Sequence, residues 1–233
     1  MTSRLVLVTR PRPDADRTAE AVRGAGFEPI VAPLMRIAPR DGALARAPQA
    51  DAAAITSASG ARAYAGQGGR LPVFAVGPAS TEAAREAGLR VVGTAGGDVA
   101  SLAELIAAAR PARVLHAGGA RLAGDLAGDL ARRGVPCARV MLYEAREAER
   151  LPEAAVRAIR EGLAWTLLFS PRSAALFERL VRAAGLQDCL RRSRLAALSP
   201  AVAAACSLPF EHVAVAGAPE HSRLVDFLSA PSS

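Results

Sequence analysis

Six short segments carry the residue types from which an anion-binding site is made. They are Thr9-Arg10-Pro11, Thr56-Ser57, Gly77-Pro78-Ala79-Ser80, Gly118-Gly119, Ser170-Pro171 and Ser199-Pro200. Each follows a short apolar run and opens a helix-like one, with Ser59, Arg172, Ser173, Ala201 and Val202 close behind three of them. In open parallel sheets, ligands bind beyond the carboxyl ends of the strands. Helix starts there offer unpaired backbone N–H groups and a partial positive charge. Glycine and serine let a ligand approach that backbone closely. Any one of these turns alone reads more readily as a serine or threonine capping a helix. Six in one chain point to a binding collar.

Conventional catalytic groups are sparse. His116 stands just before Gly118-Gly119; it faces a cleft or is a half-exposed strand-end histidine, the commoner case. His212 and His221 look peripheral. The histidines and Cys137, Cys189 and Cys206 lack metal-ligand spacing. There is no G-x-S-x-G elbow and no G-x-G-x-x-G; Gly66-Gln67-Gly68-Gly69 follows no strand and reads as a flexible loop. An enzyme of this kind works by holding a reactive substrate in shape.

All 29 basic residues are arginine, since the chain has no lysine. That excludes Schiff-base chemistry, pyridoxal phosphate enzymes, class I aldolases and Walker A nucleotide hydrolysis. The arginine bias reads first as a high-GC coding bias, which favours Arg, Ala, Gly and Pro together; the second reading is functional, since arginine is a planar, always-charged partner for carboxylates or phosphates and the formal charge is +7. The arginines are spread evenly without a dense block, and Phe169 and Phe177 near them look like core, so no nucleic-acid partner is expected. No apolar run reaches the roughly 18 residues of a membrane span. Met1-Thr2-Ser3-Arg4 lacks the features of a signal peptide, and three scattered cysteines form no disulfide framework. A cytoplasmic location is expected.

The elements that must position these residues alternate. Strand-like runs are Leu5–Val8, Glu28–Ala32, Ala52–Ile55, Val73–Val76, Arg113–Leu115, Arg139–Leu142, Thr166–Phe169, Leu195–Leu198 and Val213–Val215. A helix starts near Asp14; Ser101-Leu102-Ala103-Glu104 reads as a capping box; Leu122, Leu126 and Leu130 make a helical stripe; Pro171 and Pro200 sit at first helical positions after serine caps. This alternation predicts a parallel-sheet α/β protein. Aromatics are only 4%, so small side chains build its core.

The chain also repeats. Arg4–Ile37 resembles Arg113–Ala145; Ile55–Ala61 resembles Leu168–Ala174; Ala75–Ala79 resembles Ala197–Ala201, at offsets of 109, 113 and 122 residues. With 233 residues, two similar α/β domains follow, and a cleft between them is the default ligand site. Ala38–Gly42 and Arg146–Arg150 are linker-like. If the chain crosses at both, domain one is residues 1–37 plus 150–233 and domain two is 38–149. Periodicity alone does not separate this from a simple split near residue 110.

Taken in order, Val8-Thr9-Arg10-Pro11, Pro33-Leu34, Ile55-Thr56-Ser57, Val76-Gly77-Pro78-Ala79-Ser80, Gly118-Gly119, Met141-Leu142-Tyr143, Phe169-Ser170-Pro171 and Leu198-Ser199-Pro200 resemble the uroporphyrinogen-III synthase family over nearly the full length. The resemblance implies two similar parallel-sheet α/β domains joined by a two-stranded linker, with the crossed pairing. It implies a lyase of tetrapyrrole biosynthesis that closes hydroxymethylbilane with inversion of the terminal ring and loss of water. No cofactor or metal is expected. The implied partner is a linear tetrapyrrole with multiple carboxylates, handed over transiently from hydroxymethylbilane synthase to a monomer. Tyr143 is the implied catalytic residue, as acid or hydrogen-bond donor, or else a linker packing residue. Thr9, Arg10, Thr56, Ser57, Ser59, Gly77, Ala79, Ser80, Gly118, Gly119, Ser170, Arg172, Ser173, Ser199, Ala201 and Val202 are the implied substrate contacts. The family's last collar usually has a glycine and then threonines, where this chain has Ser199-Pro200-Ala201-Val202. That departure favours a non-catalytic porphyrin- or anion-binding module; the absence of an appended effector segment speaks against one. A two-domain nucleotide-sugar transferase is a third reading, but no nucleotide motif is present.

Overall fold

The first apolar run, Leu5–Val8, is strand β1, and Asp14–Gly24 is helix α1, with Asp14 and Asp16 in its first turn where the helix dipole favours them. The structure is a computed structural model that describes residues 3–120, 124–216 and 223–229. Strands β2 (Glu28–Val31) and β3 (Met35–Pro39) come next. The chain then builds a complete α/β run: β4 (Ala52–Ile55), α2 (Ala58–Gly66), β5 (Val73–Ala75), α3 (Pro78–Glu86), β6 (Val91–Thr94), α4 (Val99–Ala109), β7 (Val114–Gly119), α5 (Leu126–Ala131) and β8 (Cys137–Glu147). It closes with α6 (Glu153–Glu161), β9 (Trp165–Leu168), α7 (Pro171–Ala183), β10 (Arg194–Ala197), α8 (Pro200–Ala204), β11 (His212–Val215) and α9 (Arg223–Asp226).

The fold is α/β, in two compact units: Met1–Arg36 with Arg146–Ser233, and Ile37–Ala145. The chain passes from one to the other within β3 and again near the end of β8. The first unit holds a five-stranded sheet in the order β11-β10-β9-β1-β2, parallel at every pairing. The second holds a six-stranded sheet, β3-β8-β7-β4-β5-β6, parallel from β8 to β6. The two orders superpose if β9, β10 and β11 stand for β4, β5 and β6, and β1 and β2 for β7 and β8. The same sheet is therefore made twice, with the chain entering it at different strands.

In the second unit the packing follows from strands buried on both faces. Ala53, Ile55, Leu115 and Leu142 point to one face, where α2 and α3 cover them with Ala61, Tyr64, Ala83 and Ala84. Ala52, Ala54, Phe74 and Val114 point to the other, under Leu102 and Ile106 of α4 and Leu126 and Leu130 of α5. Alanine in β4 lets helices approach on both sides.

The structure differs from the sequence reading in several elements. The capping box at Ser101 is not the helix start: α4 begins two residues earlier, and Asp98 caps it by accepting from the Ser101 N–H at 2.7 Å. That bond holds the Asp98 carboxyl below its usual range. The edge strand β6 has no legible apolar signal because alternate residues face outward. Its Gly93 is needed there: a Cβ would stand 2.9 Å from the Phe74 ring. The linker-like Ala38-Pro39 belongs to β3, and β7 and β8 run well past the expected Arg113–Leu115 and Arg139–Leu142. The loop at Gly66–Gly69 is anchored, since the Gln67 side chain donates to the Arg40 and Leu142 carbonyls and accepts from the Leu44 N–H. His116 is neither half-exposed nor at a strand end; it lies inside β7 with 2% of its surface exposed. Phe177 is core, whereas Phe169 is only half-buried. His212 is exposed; Leu122 and His221 lie outside the described residues.

Candidate functional site

Strand order places the candidate residues. In the second sheet the chain runs outward from β4 through β5 to β6, then returns beside β4 as β7 and moves the other way to β8. The direction reverses between β4 and β7, and the crevice beyond such a reversal is where open α/β sheets bind ligands. Thr56 and Ser57 follow β4, Gly118 and Gly119 end the matching part of β7, and Tyr143 lies in β8 opposite Gly119.

Ser57 has extended backbone angles and caps α2, accepting from the Gly60 N–H at 3.0 Å. The same oxygen lies 3.0 Å from the Tyr143 hydroxyl. Tyr143 is half-buried, its ring laid against the backbone of Gly119, where a Cβ would come within 2.7 Å of the ring carbon Cζ. A glycine is thus the condition for the phenol's position. The Gly119 and Ala120 carbonyls are held by the Arg139 guanidinium at 3.0 and 2.5 Å. Thr56 Oγ1 lies 3.2 Å from His116 Nε2. Burial, and then the nearby Arg139 charge, push the His116 imidazole down to about 4, so it is neutral at pH 7.

The remaining turns of this unit behave differently. Gly77 is buried and caps α3 through its backbone, with Pro78 at the first helical position; Ala79 is exposed and Ser80 is buried. Ser59 is half-buried in the first turn of α2. Gly118 and Gly119 are strand residues with a bulge between them, not a turn into a helix.

In the first unit the reversal falls between β1 and β9. Arg10 stands over the Phe169 ring at 4.6 Å from its centroid and pairs with Asp14 at 3.4 Å. Ser170 and Ser173 form a reciprocal capping box at the start of α7, the Ser173 N–H donating to Ser170 Oγ at 3.1 Å. Arg172 pairs with Glu147 at 2.8 Å, and Arg179 reaches the other oxygen of that carboxylate at 3.1 Å. Ser199 caps α8; Ala201 is exposed. Two of the expected contacts have their polar groups engaged within the fold. The Thr9 hydroxyl is fully buried and donates to the Leu167 carbonyl at 3.0 Å, tying β1 to β9. The Val202 side chain is 1% exposed, and its N–H is taken by Ser199. Sequence reasoning missed Glu147, Arg179 and Arg139, whose partners are all distant in sequence.

Among the described residues there is no cluster of three potential metal ligands, and no helix is long and apolar enough to cross a membrane. Hydroxyl groups and glycines thus stand at the carboxyl ends of the parallel strands of two permuted α/β sheets, the place where sheets of this class bind ligands. The chain belongs to the uroporphyrinogen-III synthase HemD family, whose model matches residues 16–226. Its fold is similar to that of uroporphyrinogen-III synthetase from Helicobacter pylori, with a TM-score of 0.62 at 12% identity over 97% of this chain and 98% of that one. It is similar also to a mutant uroporphyrinogen III synthase from Thermus thermophilus, with a TM-score of 0.57 at 19% identity over 97% and 96%. No curated protein matches the sequence at a significant level.

Proposed function

We propose that this protein is a uroporphyrinogen-III synthase: it cyclises hydroxymethylbilane, inverts the terminal pyrrole ring and releases water, in tetrapyrrole biosynthesis. The observation that carries the reading is the Tyr143 phenol, presented at the carboxyl edge of the second sheet by Ser57 at 3.0 Å and by the flat backbone of Gly119. Family membership supports it.

Chemically, the phenol donates to the departing hydroxyl, which leaves as water and generates a cationic azafulvene. The substituted carbon of the last ring attacks that cation to give a spiro intermediate. The spiro centre reopens and closes again at the other carbon, and the proton then lost from that ring carbon restores the phenol. No nucleophile from the protein is needed. What the protein supplies is one folded geometry and charge stabilisation in the transition state. The arginines Arg10 and Arg172 are assigned to the substrate's carboxylates, as cations that bind them without taking part in bond changes. Serving a soluble, charged substrate, the enzyme is assigned to the cytoplasm.

The test is a coupled assay in which hydroxymethylbilane is generated in place and the oxidised uroporphyrin isomers are separated. Predominant isomer III supports the synthase. Isomer I alone, from folded protein, overturns it and leaves a non-catalytic binder, the reading favoured by the occupied Val202 N–H and the missing hydroxyls beside it.

A further inference from the structure

The carboxyl edge of the second sheet brings Ser57, Gly119 and Tyr143 together. The amino edge of the same sheet carries a cavity of about 620 Å³, within the range of small-molecule sites. Three loops make it: residues 44–51 ahead of β4, residues 68–71 ahead of β5, and residues 112–113 ahead of β7. The four residues of β4 put roughly 13 Å between this cavity and the candidate site. The glycine-rich segment Gly66-Gln67-Gly68-Gly69, which the proposed reaction does not use, supplies one of its walls.

Bonds between the walls hold the cavity in shape. The Gln67 side chain accepts from the Leu44 N–H and donates to the Arg40 carbonyl, both at 3.1 Å. Asp51 and Arg113 bond twice: the Arg113 N–H donates to Asp51 Oδ2 at 3.0 Å, and the Asp51 N–H donates to the Arg113 carbonyl at 3.0 Å. Tyr64 is the deepest lining residue, 1% exposed, and its hydroxyl accepts from the Leu71 N–H at 3.1 Å. Gly69 rests on that ring so closely that a Cβ would stand 2.4 Å from it. Leu44, Leu71 and Leu115 extend the apolar lining. Arg70 and Arg113 also line the cavity, and both are exposed. Neither guanidinium is paired with a carboxylate among the described residues; Arg70 donates to the Gly69 carbonyl at 2.9 Å and Arg113 to the Gln49 carbonyl at 3.5 Å. Asp51 is the one carboxylate in the lining, so two positive charges face one negative.

We propose that this cavity is a second binding site, for a small monocarboxylate with a flat apolar body. The apolar body lies against Tyr64, Leu44, Leu71 and Leu115, and the carboxylate meets the guanidiniums of Arg70 and Arg113, whose donor forks match it. The surplus of one positive charge fits one carboxylate; further anionic groups on the ligand would meet Asp51. Because the walls are bonded to one another before a ligand arrives, little ordering entropy is lost on binding. The site is separate from the reacting groups and does not depend on the synthase reading.

The test is a titration of isotope-labelled protein, followed by proton–nitrogen correlation spectra at pH 7, with two probes of the same shape: ionised 2-naphthoate and neutral 2-naphthamide. Naphthoate is expected to shift the amides of Leu44, Gly69, Leu71 and Arg113 with a Kd below about 1 mM. Naphthamide is expected to bind about tenfold more weakly or worse, the worth of a hydrogen bond to a charged group. A weaker or absent naphthoate response at those amides, shifts confined to Ser57, Gly119 and Tyr143, or equal affinity for the two probes overturns the proposal. That comparison needs no substitution. Arg70→Gln and Arg113→Gln, both at exposed positions, are each expected to weaken naphthoate severalfold and leave naphthamide unchanged; an unchanged naphthoate Kd in either variant overturns it. If the wild-type protein forms no isomer III, the synthase reading fails, while the titration still decides this site.

Discussion

Tyr143 is where the proposed reaction is most exposed to a single substitution. Tyr143→Phe keeps the ring against Gly119 and removes only the oxygen that meets Ser57. A general acid contributes about a hundredfold or more, so kcat is expected to fall by about that factor with the fold intact; unchanged kcat would reduce the phenol to packing. His116 sets an acid limit on stability. Its folded value lies near 4, below the ordinary 6.5, so the unfolded chain takes up its proton first. The contribution is complete above pH 6.5 and is lost as pH falls toward 4, up to roughly 3 kcal/mol by linkage. Chemical denaturation across that range should show the slope, and His116→Gln should flatten it. The thiols divide similarly. Burial pushes Cys206 up to about 11 and raises Cys137, whereas Cys189 is exposed. Alkylation near neutral pH is expected to label Cys189 first, with the others reacting only on unfolding.

At the level of elements, close approach governs. Gly119→Ala puts a methyl 2.7 Å from the Tyr143 ring, so the ring must move. The expected outcome is a kcat loss comparable to that of Tyr143→Phe in a protein that still folds, read by the same assay and by thermal melting. Gly69→Ala acts elsewhere: its Cβ would meet the buried Tyr64 ring at 2.4 Å, and that ring's hydroxyl accepts from the Leu71 N–H. Overpacking of this kind costs about 1–3 kcal/mol, visible as a lower denaturation midpoint without a change in KM. Helix starts are largely legible in the sequence because capping is local. Ser170-Pro171 and Ser199-Pro200 stand where the sequence puts them. Ser101 is not the cap its spacing suggests, because Asp98, three residues upstream, starts the helix earlier by accepting from the Ser101 N–H, a charge-assisted bond that leaves Ser101 inside the first turn.

Over the whole molecule, a formal charge of +7, with arginine as its only strongly basic side chain, is expected to attract the proposed polycarboxylate substrate from a distance. Raising the salt from about 20 to 200 mM shortens the screening length severalfold, so KM for hydroxymethylbilane is expected to rise several-fold while kcat changes little; a salt-independent KM would locate the recognition in neutral donors alone. The α/β class, most strands, the internal repeat and the hydroxyl-bearing turns were determined by the sequence itself, because hydrophobic period, capping and turn chemistry act over a few residues. What tertiary structure decided is which strands lie side by side. β1 pairs with β9, more than a hundred and fifty residues away, and the second copy of the sheet is entered at a different strand. That choice follows from burying both faces of each sheet under helices, a long-range energy that no local window contains. In the second sheet the pairing of β4 with β7 and of β7 with β8 encloses His116 beside Thr56 and brings Tyr143 to Ser57 and Gly119. Lone residues in the sequence become a hydrogen-bonded edge only once β4, β7 and β8 are adjacent.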